Sequence, residues 1–178
     1  MKEDKYLEPG SYSHGTMRSE DLIPEFMSML ESVDKDRAEK LIKEYSDVFD
    51  YLYENVPEEV DMALEENMGY LVDELFDILN DYCPPYCYFG AHEGDGADYG
   101  VWISYDSLKE DVANGEVMQV SDLSELDEVL TESGFIPSMV VLENDHGNVV
   151  LYSQTVELVR GEFGWKLEFD LNEIWSVV

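Results

Sequence analysis

Apolar side chains recur every three or four residues through the first half of the chain, a spacing that predicts amphipathic helices. Pro24 suits the first turn of a helix, and the apolar residues that follow it would form the buried face. A second helix is predicted over 36–55, and Pro57 ends it and begins the next. We therefore expect an acidic helical subdomain of three or four helices over residues 18–82, preceded by an extended lead-in over 1–17.

The pattern changes to alternation after the Pro84-Pro85 pair, which indicates β-strands. Helical segments are expected at 105–114 and 122–132, and the segment Asn144 to Asn148 is typical of a hairpin turn. Short strands are predicted at 86–89, 101–104, 117–121, 139–142, 149–152, 156–159, 165–169 and 174–178. Helices first and strands second predict an α+β fold, in which the helical half packs on an antiparallel meander within residues 83–178, together one compact domain.

The composition is that of a core-forming but very acidic chain. Hydrophobic residues make up 44% of the 178 positions and aromatic residues 12%, enough to bury a core. There are 42 Asp and Glu against 10 Lys and Arg, a formal net charge of −32. This charge argues against direct binding to nucleic acid and to anionic membranes, because both would repel the chain. Cations, basic protein surfaces and proteins that themselves hold DNA remain as partner classes.

The first residues lack the apolar stretch of a secretory signal, and no uncharged apolar run of roughly 18 residues predicts a membrane span. A cytoplasmic protein is therefore expected. Cys83 and Cys87 are separated by three residues, which is neither a redox pair nor half of a recognisable zinc site. Two reduced thiols are expected.

The distribution of the charges is more informative than their sum. Between Lys43 and Lys109 there are 17 acidic residues and no Lys or Arg, and between Lys109 and Arg160 there are 11 and again none. Ordinary protein surfaces intersperse the two signs. One series of acids advances by steps of three and four and would form a line of carboxylates on a helix: Asp47, Asp50, Glu54, Glu58, Asp61 and Glu65. Asp73, Asp77 and Asp81 form a second line.

A row of carboxylates resembles the phosphates of DNA in charge and in approximate spacing. The chain is therefore interpreted as a DNA mimic that occupies the basic surface of a DNA-binding or nuclease protein. The contacting residues would be those of the first line, from Asp47 to Glu65, together with Asp73 and Asp77. The competing interpretation is that the acids are only a solvated helix face that keeps the chain soluble.

A glycine-rich segment over 90–100 is predicted as a loop, and it contains the residues of an alternative functional site. His92, Asp95 and Asp98 crowd this segment, and His146 and Asp145 lie in the predicted 144–148 turn. If adjacent hairpins bring the two histidines together, the histidines and the carboxylates would form a site for a divalent metal or a small ligand. The protein would then be a small-ligand binder or a metal-assisted hydrolase. The other interpretation is that these residues cap backbone groups in tight turns.

Enzymatic motifs are missing from the chain. There is no P-loop, no nucleophile elbow, no HExxH and no dinucleotide fingerprint, so the sequence favours a protein without catalytic residues and without a cofactor. The aromatic residues between 82 and 105 would pack in the core, and an exposed subset of them would serve a protein interface, a homodimer included.

Four segments resemble small, uncharacterised proteins encoded by bacteriophages. They are GTMRSEDLIPEFMSML at 15–30, YFGAHEGDGADYGVW at 88–102, NDHGNVVLY at 144–152 and EIWSVV at 173–178. The resemblance implies a phage protein that acts in the host cytoplasm, and it brings no established activity and no catalytic residues. Phages often use small acidic proteins against host defence nucleases, and this analogy agrees with the charge argument.

Overall fold

The computed structural model describes residues 5–53, 60–126, 136–161 and 164–177 and confirms the α+β class. The chain divides into two compact units, Met1–Ile103 and Ser104–Val178, which we call the N-terminal and the C-terminal unit. The sequence placed a boundary at residue 82 within one domain. The structural boundary lies farther along the chain because residues of the first long hairpin share a hydrophobic core with the helices.

Among the described residues, four helices precede the hairpin over 87–103: α1 (Ser19–Val33), α2 (Lys35–Glu44), α3 (Ser46–Tyr53) and α4 (Met62–Asn80). Pro24 lies inside α1 rather than in its first turn, since the helix already begins at Ser19. The helix predicted over 36–55 is divided in two at Tyr45, whose dihedral angles leave the helical region. No helix within the described ranges combines the length and the apolar character that crossing a bilayer requires.

The helices of the N-terminal unit pack on a three-stranded antiparallel sheet of β1 (Gly10–His14), β3 (Asp95–Ile103) and β2 (Cys87–His92), in that order. Part of the expected lead-in is thus a strand. A cluster of aromatic rings joins helices to sheet: the ring of Phe26 meets those of Phe89, Phe76 and Tyr99 edge-on at 4.9, 5.3 and 5.9 Å. The glycine-rich segment predicted as a loop is mostly strand, because its residues pair across the β2–β3 hairpin.

The C-terminal unit contains a helix, α5 (Tyr105–Asn114), a 3-10 turn (Leu123–Glu125) and a four-stranded sheet. Its strands are β4 (Val117–Val120), β5 (Met139–Glu143), β6 (Val149–Gly161) and β7 (Gly164–Val177), in that order. The pairs β5–β6 and β6–β7 are antiparallel as predicted, but β4 runs parallel to β5. The single meander expected after residue 83 is therefore wrong in two respects: the strands form two sheets, and one pair is parallel. Most of the helix expected over 122–132 lies outside the described residues.

Both thiols are free and half-buried. Burial raises the pKa of Cys83 and of Cys87 to about 12, because a thiolate loses its hydration inside the protein. We expect iodoacetamide at pH 8 to alkylate the folded protein at least about 100-fold more slowly than the urea-unfolded chain, in which roughly a quarter of each thiol is ionised. Mass spectrometry of timed samples measures both rates, and similar rates in the two states would contradict the burial of the pair.

Candidate functional site

Seven exposed carboxylates lie on α3, on α4 and at the N-cap of α4. We call this set the acidic face: Asp47, Asp50, Asp61, Glu65, Glu66, Asp73 and Asp77. It lies opposite the buried side of α4, where Met68, Leu71, Leu75 and Ile78 enter the core. The alternation of buried and exposed positions explains why every described acid of the predicted lines points into solvent.

The first predicted line of acids does not follow one helix. Asp47 and Asp50 lie on α3, whereas Glu65 lies in the first turn of α4 and Asp61 precedes that helix in extended conformation. The side chain of Asp61 accepts a hydrogen bond from the backbone nitrogen of Leu64 at 2.9 Å, so it acts as the N-cap. Glu54 and Glu58 lie outside the described residues. The carboxylates thus cover two helices rather than one straight row.

A stripe along α4 contains two residues that sequence reasoning missed. Glu66, Tyr70, Asp73 and Asp77 follow one another at steps of four, three and four, and all are exposed. The phenol of Tyr70 is 56% exposed and donates to Glu66 Oε1 at 3.1 Å. The helical spacing from Asp73 and Asp77 back to Glu66 was the signal for this stripe, which the line drawn from Asp47 to Glu65 obscured.

No described lysine or arginine forms an ion pair with a carboxylate of the acidic face. Among the described residues the two ion pairs join Arg18 to Glu20 and Arg37 to Asp81, at 2.9 and 3.0 Å, and neither includes a carboxylate of the face. Four of the ten Lys and Arg residues of the chain lie within α2, and α3 and α4 contain none. The carboxylates of the face are therefore not neutralised by any described lysine or arginine.

Two side-chain hydrogen bonds join α4 to α3 and to the residue between α2 and α3. Asn67 on α4 donates to Asp47 Oδ2 at 2.7 Å, which joins α3 to α4. The hydroxyl of Tyr45 donates to Glu74 Oε2 at 2.9 Å. Burial raises the pKa of Tyr45 to about 12 and the Glu74 carboxylate adds to the shift, so this phenol remains a donor at neutral pH. The carboxylates of the face are thereby carried on a fixed surface.

The residues proposed for a metal site in the 90–100 segment have local partners. Asp98 accepts a hydrogen bond from the Ser11 hydroxyl, which ties β1 to β3. Asp95 accepts from the backbone nitrogen of Ala97 at 3.0 Å. His92 Nδ1 accepts from the backbone nitrogen of Gly94 at 3.1 Å. The bonds of Asp95 and His92 are backbone contacts within the turn, as the second interpretation described, whereas the bond of Asp98 joins side chains of two strands.

The second histidine belongs to another part of the fold. His146 and Asp145 are exposed in the β5–β6 turn of the C-terminal unit, whereas His92 ends β2 in the N-terminal unit. Asn144 orders this turn, since its side-chain oxygen accepts from the backbone nitrogens of His146 and Asn148 at 3.0 and 3.1 Å. In the part of the chain that the structure describes, no group of three or more His, Cys, Asp and Glu side chains is arranged to hold a metal ion.

The acidic face is the arrangement with the clearest chemical meaning. Its carboxylates face solvent, and they would accept hydrogen bonds from lysine and arginine side chains of another protein. Comparison with known proteins adds no assignment. No protein-family model, no curated protein and no solved structure matches this chain.

Proposed function

We propose that this chain is an acidic decoy, a non-enzymatic protein whose acidic face occupies the DNA-binding surface of a bacterial DNA-binding or nuclease protein. One observation carries the proposal: the seven exposed carboxylates of the acidic face have no ion pair with any described lysine or arginine. A solvated helix surface ordinarily contains both signs. The face contains only one.

The dimensions of the face support a nucleic-acid-like role. Glu66 and Asp77 are eleven residues apart on α4, so their carboxylates span about 16 Å along the helix axis at 1.5 Å per residue. A DNA strand carries about five phosphates over this length, at one per 3.4 Å. Asp47 and Asp50 on α3 add charge beside this stripe. A surface that binds a DNA backbone with lysine and arginine would therefore find acceptors on the face.

The resemblance to phage-encoded proteins supports a partner in the cytoplasm of a bacterial host. Restriction and other defence nucleases must hold DNA in basic channels, so a phage gains from any protein that fills such a channel. The direct route, in which the chain itself binds DNA, is opposed by the net charge of −32.

Affinity capture from a bacterial lysate tests the proposal. The full chain is immobilised and the lysate is applied at low and at high salt. We expect a DNA-binding or nuclease protein to be retained at low salt, released at high salt and displaced by duplex DNA, because the contacts are screened charges on a DNA-binding surface. Retention of no basic protein at low salt, or a partner that duplex DNA does not displace, would reject the decoy.

A further inference from the structure

A small pocket lies between α5 and the sheet of the C-terminal unit. Its volume is about 350 Å³, near the lower end of the range of roughly 300–1,000 Å³ for small-molecule sites. One face of α5 forms a wall, and β4, β5 and the start of β6 form the other. Neither the acidic face nor the metal hypothesis uses this pocket.

The floor of the pocket is apolar. Leu108, Val141 and Val149 line it and are 4%, 3% and 5% exposed, and Val112 follows Leu108 by one helical turn. Tyr105, 45% exposed, stands on the same face of α5. An apolar floor of this kind favours a ligand with a hydrocarbon or aromatic body, because the ligand leaves water when it enters.

The polar side chains that line the pocket differ in whether they already have a hydrogen-bond partner. Gln119 Nε2 donates to Glu143 Oε2 at 2.9 Å, so part of the Glu143 carboxylate is already occupied. Lys109 is exposed and forms no ion pair with a described carboxylate. It is also the one Lys or Arg in the sequence between Lys43 and Arg160. An ammonium group without an ion pair to any described carboxylate thus lies beside an apolar floor.

We infer that this pocket binds a small monoanion with an apolar body, such as a short-chain fatty acid or an aryl carboxylate. The apolar part would cover Leu108, Val141 and Val149, and the anionic group would pair with Lys109. This pairing supplies the counter-charge that the lysine lacks in the described structure. The site is independent of the proposed decoy function, since its residues belong to the C-terminal unit.

Two fluorescent probes that share a ring system and differ in charge test the inference. The anion is 8-anilinonaphthalene-1-sulfonate, and N-phenyl-1-naphthylamine lacks the sulfonate. We expect saturable binding of one anion per chain, displaced by octanoate, and affinity about tenfold lower in Lys109→Gln, because a charge-assisted contact is lost. The neutral probe should bind Lys109→Gln and the native protein alike.

Three variants keep the test specific. Glu143→Gln should bind the anion at least as tightly as the native protein, since a repelling charge is removed. Val112→Phe should weaken both probes because the larger ring occupies the pocket. Lys40→Gln makes the same change of charge on the exposed surface of α2 and should leave both affinities unchanged. Absence of saturable anion binding, equal losses in Lys109→Gln and Lys40→Gln, or unchanged binding in Val112→Phe would overturn the inference, provided that circular dichroism shows each variant folded.

Discussion

Replacing Gly100 with alanine is expected to lower the free energy of unfolding of the N-terminal unit by about 3 kcal/mol or more. A Cβ atom at Gly100 would lie 2.2 Å from the carbonyl oxygen of Gly10 on β1 and 2.9 Å from Cζ2 of Trp102. The first of these neighbours is backbone and is held in register, since Gly10 pairs with Val101 and Ser11 with Gly100. β1 can yield only if its pairing with β3 breaks.

Gly96 offers a matched control in the same strand. A Cβ atom there meets nothing within 4 Å, and its φ is not in the left-handed region, so Gly96→Ala should change the stability by no more than about 0.5 kcal/mol. Urea unfolding gives the free energies, and hydrogen exchange of residues 10–14 reports on β1 directly. Equal midpoints for the two variants, or undiminished protection of β1 in Gly100→Ala, would show that the close approach of β1 to β3 is not as described.

Neutralising four carboxylates of the acidic face is expected to weaken binding of the captured partner by about 100-fold. The variant combines Glu65→Gln, Glu66→Gln, Asp73→Asn and Asp77→Asn. If each carboxylate contributes about 0.7 kcal/mol as a partly solvated charge pair, the four together account for a loss of this size. The dependence of affinity on salt should become weaker at the same time, because fewer charges are screened.

Two of these substitutions, Asp73→Asn and Asp77→Asn, are expected to stabilise the protein. Asp73 and Asp77 are one turn apart on α4 and repel each other, as like charges at this spacing do by about 0.2–0.5 kcal/mol. The urea midpoint of this double variant at low salt should therefore rise while its partner binding falls. A loss of binding that came from unfolding would move the midpoint in the opposite direction.

A second variant, also with four substitutions, controls for the change in net charge. Asp106, Glu110, Glu116 and Asp145 are exposed acids of the C-terminal unit, and their replacement by the corresponding amides changes the charge by the same amount. We expect less than about a threefold change in affinity from it, because none of these four residues belongs to the acidic face. Equal losses in the two variants would mean that the partner responds to overall charge and not to the acidic face.

The helices could be predicted from the sequence because the spacing of their apolar residues identifies the buried face of each helix. The three-to-four spacing of Leu71, Leu75 and Ile78 indicates the buried side of α4, and the acids between them are exposed in the structure. The break at Tyr45 was not readable, since Leu41 and Val48 continue the helical spacing across it. Because α2 and α3 were predicted as one helix, and because the acidic spacing continues past Tyr53, six acids were placed in one line. Glu66 and Tyr70 were not identified for the same reason.

Strand partners were less predictable than strands. Alternation along Val117 to Val120 identifies β4, yet it does not show that β5 lies beside it in parallel, because alternation sets the two faces of a strand and not its neighbour. β1 was read as lead-in for the same reason: its pairing depends on the absence of a side chain at Gly100, far along the chain. The hairpin at Asn144 was found because its turn chemistry is local.

The pairing of β1 with β3 affects the order in which the chain folds during its synthesis on the ribosome. Synthesis delivers Gly10–His14 early, but Asp95–Ile103 emerges only after all four helices of the N-terminal unit. The helices gain local contacts at once, whereas closing the sheet requires ends that are far apart in the chain. A nascent chain that pauses at the end of α4 therefore exposes the rings of Phe26 and Phe76 before Phe89 and Tyr99 are present to cover them, and exposed apolar surface of this kind is prone to aggregate.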